Sequence, residues 1–134
     1  MLTEQEISRY SRHLLLSEIG IAGQEKLKAA KVLVIGAGGL GCPVLMYLSA
    51  AGVGKIGIVD FDTVDETNLQ RQVLYDATDV GRSKAEAAKQ KLSKQNLLIE
   101  IKSIHNKLST ENALELFSEY DIIVDGTDSF STRY

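Results

Sequence analysis

The spacing of apolar residues changes period several times along this chain, and each change predicts an element. Thr3 and Glu6 stand at the spacing of a helix capping box, and Ile7, Tyr10, Leu14 and Leu15 then recur on one helical face. Arg9, Arg12 and His13 fall on the opposite face. A second helical stretch, about residues 22–30, leads into Lys31-Val32-Leu33-Val34-Ile35, a run of the kind buried on both faces of a sheet. The glycine-rich Gly36-Ala37-Gly38-Gly39-Leu40-Gly41 follows. An apolar helix over about 40–51 comes next, with Pro43 in its first turn and Gly52 and Gly54 to stop it. The pattern then repeats. Residues 55–60 read as a buried strand, and after a polar segment Ser83-Lys84-Ala85-Glu86 opens a long helix with another capping box. Residues 98–104 alternate as a strand, 109–118 are helical, and 121–125 form a further buried strand. Strands alternating with helices predict a parallel sheet with right-handed crossovers. The fold class is therefore α/β and Rossmann-like, a mostly parallel sheet with flanking helices behind an N-terminal helical segment. Residues 128–134 read as the start of one more helix, too short to sustain itself, so the chain is expected to be a truncated portion of a longer protein.

Charge narrows the class of partner. Lys+Arg total 15 against Asp+Glu 18, a net charge of −3, and the pI is near 5.4, which argues against a nucleic-acid-binding surface. A 44% share of hydrophobic residues is enough to bury a core and excludes a disordered chain. No apolar run approaches the ~18 residues of a membrane span, and the polar, acidic start Met1-Leu2-Thr3-Glu4-Gln5-Glu6 is unlike a signal peptide. A single cysteine, Cys42, makes no internal disulfide, and two histidines without a Cys pair make no zinc site. A cytoplasmic protein is expected.

The chemistry gathers at the ends of strands. Gly36-x-Gly38-x-x-Gly41 lies between a strand and a helix, and Asp60 follows at the end of the next strand. Glycines there let backbone N–H groups approach phosphate at a helix N-terminus, and the acid can hold ribose hydroxyls. Tight helix–strand packing alone would explain the glycines but not Asp60. After it come Asp62, Asp65, Asn68, Arg71 and Gln72, unusually polar for a strand-to-helix connection. One helical turn would place Asn68, Arg71 and Gln72 on a single face, where a guanidinium can fork onto phosphate; a solvated face is the plainer alternative. Lys84, with Arg82 just before it, sits in the first turn of a helix, where a cation opposes the macrodipole by roughly 0.3–1 kcal/mol. An anion held between them would reverse that sign, and an exposed lysine tolerating the penalty is the alternative. Asp128, just beyond the last strand, suits either Mg²⁺ bridging to a triphosphate or a helix N-cap. Cys42 reads as a small buried hydrophobe, and His13 and His105 have no spacing that suggests catalysis.

Taken in order, Arg9-Tyr10-Ser11-Arg12, the Gly36–Gly41 loop, Asp60-Phe61-Asp62, Asn68-Leu69-Gln70-Arg71-Gln72, Gly81-Arg82-Ser83-Lys84 and Thr127-Asp128 resemble the MoeB/ThiF/HesA family, bacterial relatives of ubiquitin-activating enzymes. The resemblance spans essentially the whole chain. It implies ATP-dependent adenylation of the C-terminal glycine of a small ubiquitin-like sulfur-carrier protein ending in Gly-Gly, as in molybdopterin and thiamine biosynthesis. By matched position, Gly36, Gly38, Gly39 and Gly41 frame the nucleotide, Asp60 holds the ribose, and Asp62 and Gln72 lie beside it. Asn68, Arg71 and Lys84 contact phosphates, Asp128 binds Mg²⁺, and Arg12 crosses a homodimer into the partner's site. His13 stands where glutamine is usual and Ser129 where asparagine is common. The family's zinc-binding CxxC pairs and transfer cysteine belong to a second half beyond residue 134. Two readings compete: an NAD(P)-dependent oxidoreductase, for which nothing after Asp60 supplies a hydroxyacid site, and a non-catalytic carrier-binding module, which would not need Arg71, Lys84 and Asp128 together.

Overall fold

The computed structural model describes residues 1–16 and 19–127. Four parallel strands form one sheet: β1 (Lys31–Ile35), β2 (Lys55–Val59), β3 (Glu100–Ile104) and β4 (Ile122–Asp125), in the order β3-β2-β1-β4. Among the described residues six α-helices accompany them: α1 (Glu4–Arg9), α2 (Ser11–Leu14), α3 (Gly20–Ala29), α4 (Gly41–Ala51), α5 (Lys84–Gln95) and α6 (Thr110–Phe117). The Rossmann-like parallel sheet expected from the alternation is the one observed.

Strand β1 is buried from Val32 to Ile35 because strands flank it on both sides and helices cover both faces. Its even residues, Val32 and Val34, join Leu45 of α4 and Ala85, Ala88 and Leu92 of α5 in one core. The odd residues, Leu33 and Ile35, pack on the other face with Tyr120 and with Leu116 and Phe117 of α6. The run of small residues Ala85, Ala87 and Ala88 lets α5 lie close against the sheet. Connections through α4 and α5 step outward from β1 to β3, whereas the connection through α6 returns to the far side of β1. That reversal between β1 and β4 is the topological switch point at which open sheets of this kind bind ligands, beyond the carboxyl ends of their strands.

Several local expectations need correction. The N-terminal stripe does not run through one helix. The chain breaks at Tyr10 (φ −100°, ψ 17°) into α1 and α2, so Tyr10 is buried while Ile7 is 47% and Leu15 86% exposed. A six-residue helix is too short to carry a continuous packed stripe, and burial of the tyrosine ring decides the bend. The Thr3–Glu6 capping box is present. The Ser83 box is only half made: Ser83 Oγ accepts the Glu86 N–H, but the Glu86 carboxylate accepts from Ser103 on β3 instead. Strand β3 begins at Glu100 because Asn96 Oδ1 takes the Leu98 N–H (3.0 Å) and holds the preceding turn. Strand β4 is not buried. It is the outer strand of the described sheet, with Ile122 and Ile123 exposed. Residues 128–134, read as a nascent helix, lie outside the described residues.

Glu6, buried beneath Lys28, shows how the N-terminal segment is tied down. Burial raises its carboxyl, but the Lys28 ammonium at 2.8 Å and the Thr3 N–H and hydroxyl together hold it below the ordinary value. The core makes a sharper stability test. The buried Tyr120 hydroxyl has no hydrogen-bond partner among the described residues. Tyr120→Phe, which removes it, is therefore expected to leave the melting temperature unchanged or raise it. Leu45→Ala, at a site with no exposure, should cost about 2–5 kcal/mol by denaturant titration. A Tyr120→Phe loss of comparable size would mean that the hydroxyl is satisfied in solution.

Candidate functional site

A cavity of about 510 Å³ opens at the switch point, within the size range of small-molecule sites. Ile35 and Gly36 from the end of β1, Val59 and Asp60 from β2, and Gly126 and Thr127 after β4 form its floor. Gly38, Gly39 and Leu40 form one rim. The segment after β2 contributes Phe61, Asp62, Asn68, Arg71 and Gln72, the start of α5 contributes Lys84, and the loop after β3 contributes Asn106, Lys107 and Leu108.

The glycines divide into two roles. A Cβ on Gly41 would lie 1.8 Å from the Gly36 carbonyl oxygen, and one on Gly126 would lie 3.0 Å from the Gly41 Cα. Gly36 itself has φ +97°. These three bring the ends of β1, α4 and β4 into backbone contact, and Gly41 does not line the cavity. Its expected place on the nucleotide wall is thus corrected to a packing role. Gly39 differs: a Cβ there would meet nothing within 4 Å, and the residue borders the cavity.

Asp60 closes the loop from beneath. Its Oδ2 accepts the Ala37 N–H and its Oδ1 the Asp62 N–H, both at 2.8 Å, leaving further lone pairs toward the cavity. Behind the loop, the Tyr75 hydroxyl donates to the Ala37 carbonyl at 2.6 Å, and burial pushes its pKa upward.

Asn68, Arg71 and Gln72 do meet at the cavity, though not on one helical face. A single 3-10 turn over Glu66–Asn68 is capped by Asp65, and the Arg71 and Gln72 N–H groups both return to the Asn68 carbonyl (3.1 and 2.8 Å). Hydrogen bonds from the Thr67 N–H and hydroxyl lower the Asp65 carboxyl. Asn68 Oδ1 accepts the Asp65 N–H at 3.0 Å, which orients the amide and leaves its NH₂ to donate. Arg71 is exposed and steadied by the Thr67 carbonyl at 3.2 Å. Gln72 is buried at 4% exposure, and its Oε1 has no donor among the described residues, a deficit of about 1–3 kcal/mol.

Lys84 is buried at 7% exposure and forms no ion pair within 4.0 Å among the described residues, though its charge helps lower the Asp65 carboxyl. Its position is set by an antiparallel clamp: its N–H donates to the Asp62 carbonyl (3.0 Å) and the Val64 N–H to the Arg82 carbonyl (2.8 Å). Arg82 does not join it. The Arg82 guanidinium pairs with buried Asp79 at 3.1 Å and is absent from the cavity wall, so the expected Arg82–Lys84 anion pair is not formed. The N-terminus of α5 is also less open than expected, because Lys84 and Glu86 N–H groups are already spent.

Arg12 lies elsewhere. It is exposed on α2, and the segment carrying it is fastened to the far end of the domain, at Ser49 and Ala51 of α4, at Gln95, the last residue of α5, and at Asn96, its cap. Helix α4 alone is about 16 Å long, and the cavity lies at its other end. Arg12 therefore does not reach the cavity of its own chain. Asp128 lies outside the described residues. Phe61 stood in the sequence only as part of the Asp60-Phe61-Asp62 motif, and Tyr75 and the Asn106–Leu108 loop were not singled out. The readable signal for the last was its place after a parallel strand, where site loops belong.

The comparisons agree with this geometry. The ThiF family pattern matches residues 10–134. The chain belongs to the ThiF family. It is 57% identical over 133 residues to the probable adenylyltransferase/sulfurtransferase MoeZ of Mycobacterium tuberculosis, covering 99% of this chain and 34% of that protein. It is 50% identical over 132 residues to the sulfur carrier protein adenylyltransferase of Thermus thermophilus, covering 98% of this chain and 49% of the other. Among solved structures, E. coli TcdA, a tRNA N6-threonylcarbamoyladenosine dehydratase in complex with ATP, superposes with a TM-score of 0.89 at 25% identity, over 96% of this chain and 53% of that one. The chain thus spans from about a third to just over a half of the length of these relatives. Among the described residues no helix is long and apolar enough to cross a membrane.

Two expectations follow from the loop. Gly39→Ala should fold with an unchanged melting temperature while weakening nucleotide binding, and Gly41→Ala should fail to fold stably; equal effects on stability would contradict the division of roles. Cys42 is fully buried, its thiol donating to the Ala37 carbonyl, and burial pushes its pKa up to about 11. At pH 8 only about one thiol in a thousand would then be ionised, so iodoacetamide should label Cys42 rapidly in the denatured protein and negligibly in the native one.

Proposed function

We propose that this protein is the nucleotide-binding part of an ATP-dependent adenylyltransferase that activates the C-terminal glycine of a ubiquitin-like sulfur carrier. The observation that carries the reading is Lys84, a buried ammonium without an ion pair among the described residues, which converges with Arg71, the Asn68 amide and Gln72 on one cavity. Charge of that density suits a polyphosphate. A hydride-transferring enzyme would need a dinucleotide seat and a polar substrate site instead, and a binding module would have no use for a buried cation. The Thermus relative's name, sulfur carrier protein adenylyltransferase, supports a carrier protein as the acceptor of the adenylyl group.

The residues fit the nucleotide in a consistent order. Asp60, with lone pairs remaining, accepts ribose hydroxyls, and the apolar wall of Ile35, Val59, Phe61 and Leu108 borders the same end of the cavity. Asn68, Arg71 and Lys84 receive the phosphates. The carrier's carboxylate attacks the α-phosphorus and pyrophosphate leaves, so negative charge grows on the departing oxygen, where fixed cations stabilise it without reorganising. Mg²⁺, assigned from sequence to Asp128, supplies further charge neutralisation when bound. Arg12, too distant from its own cavity, serves the site of a second subunit in a two-fold dimer.

Nucleotide choice tests the class. Full-length protein should bind ATP–Mg²⁺ at least tenfold more tightly than NAD, about 1.4 kcal/mol by calorimetry, and the opposite preference would sink the adenylation reading. Lys84→Met tests the carrying observation through two signs. Removing an unpaired buried charge should leave the ligand-free protein as stable or more so. With a Gly-Gly carrier present, exchange of labelled pyrophosphate into ATP should fall at least roughly a hundredfold. Loss of stability together with normal exchange would make Lys84 a structural residue only.

A further inference from the structure

Helix α2 has four residues and no side-chain N-cap, so it cannot hold its own direction. Two anchors hold it from either side of Arg12. At Tyr10 the buried ring is fixed by Asn96, whose Nδ2 donates to the tyrosine oxygen and to the Ser49 carbonyl, both at 2.9 Å. At His13 the ring Nδ1 lies 3.1 Å from Oε1 of Gln24, a residue with no exposure. Gln24 Nε2 donates to the Ala51 carbonyl at 2.8 Å, which turns Oε1 toward His13 and makes Nδ1 the protonated, donating nitrogen. The Tyr10 and His13 rings stack with centroids 6.4 Å apart.

Both anchors rest on Gly52, the cap of α4. Its φ is +92°, and a Cβ there would lie 2.6 Å from Tyr10 and 2.7 Å from Gln24 Nε2. Arg9 adds a bond to the Gln95 carbonyl at 2.5 Å. Arg12 is thus the one cationic or imidazole side chain of residues 9–13 with no partner among the described residues, between neighbours that are bolted down.

We propose that His13 is a positioning residue for Arg12: its hydrogen bond to Gln24 fixes the direction in which Arg12 leaves the surface, and so aims the guanidinium at the nucleotide cavity of a second copy of the chain. The inference rests on the trans role of Arg12 proposed above. His13 has no contact with its own cavity, so its influence on reaction passes through the partner's site.

Mixed dimers of full-length protein separate the possibilities, with a recombinant Gly-Gly-terminated sulfur carrier as substrate and pyrophosphate exchange as the readout. Lys84→Met silences the cavity of the chain that bears it, so in a dimer with an unmodified cavity the only live site takes its Arg12 from the Lys84→Met chain. His13→Leu placed on that same chain should lower exchange at least tenfold, with ATP affinity unchanged. Placed on the opposite chain, it should leave exchange unaltered. His13→Asn, whose Nδ2 stands one bond from Cγ as the imidazole Nδ1 does and keeps an N–H donor there, should restore the rate in the first arrangement. His13→Ala, which has no donor to offer Gln24, replaces the leucine variant if that one does not fold. Exchange that falls in the second arrangement, or in neither, overturns the proposal. Arg12→Ala in the same two arrangements tells the two failures apart: if its effect depends on the arrangement while that of His13 does not, only the positioning role fails. If Arg12→Ala shows no such dependence, the trans reading falls with it.

Discussion

The contact on which the rest depends is backbone against backbone, where Gly36, Gly41 and Gly126 let the ends of β1, α4 and β4 touch. A side chain at any of these positions would push the first turn of α4 away from the sheet. The loop would then lose the Ala37 N–H to Asp60 bond, the Tyr75 brace and the cavity rim together. Fold and site share this one constraint. The strand order places the switch point there, and the glycines make it narrow enough for Gly38 to Leu40 to border a ligand.

Much of this was legible in the sequence because its signals were local. Alternating periods gave four strands and the long helices, and the glycine spacing followed by Asp60 located the cavity floor. What escaped was set by partners distant in sequence. Nothing near Arg82 announces that buried Asp79 claims its guanidinium, and nothing in the apolar run 121–125 tells that β4 is the outer strand of the described sheet. The N-terminal stripe misled for the same reason: Tyr10 bends the chain to reach Asn96, a residue 86 positions away. Gly41 shows the limit of motif reading, since its spacing marks a phosphate loop while its contact is with Gly36 and Gly126.

The two ends of the domain do different work. The carboxyl ends of the strands gather cations and polar groups, such as the buried Gln72, whose bonding is incomplete among the described residues. The opposite end gathers Gln24, Asn96, Ser49 and Tyr10, where amide and hydroxyl partners lock the N-terminal helices in place. One end of the domain is thus rigid while the other keeps charge unmet among the described residues.

Lys84, without an ion pair among the described residues, and the Gln72 carbonyl, without a donor among them, also couple this protein to its surroundings. A ligand that binds only the folded state stabilises it by RT ln(1 + [L]/Kd), about 2.7 kcal/mol at a hundredfold excess over Kd. With polyphosphate as that ligand, resistance to unfolding and to proteolysis becomes a function of nucleotide concentration. Where nucleotide is scarce, the folded chain would lose part of its lifetime through this one cavity.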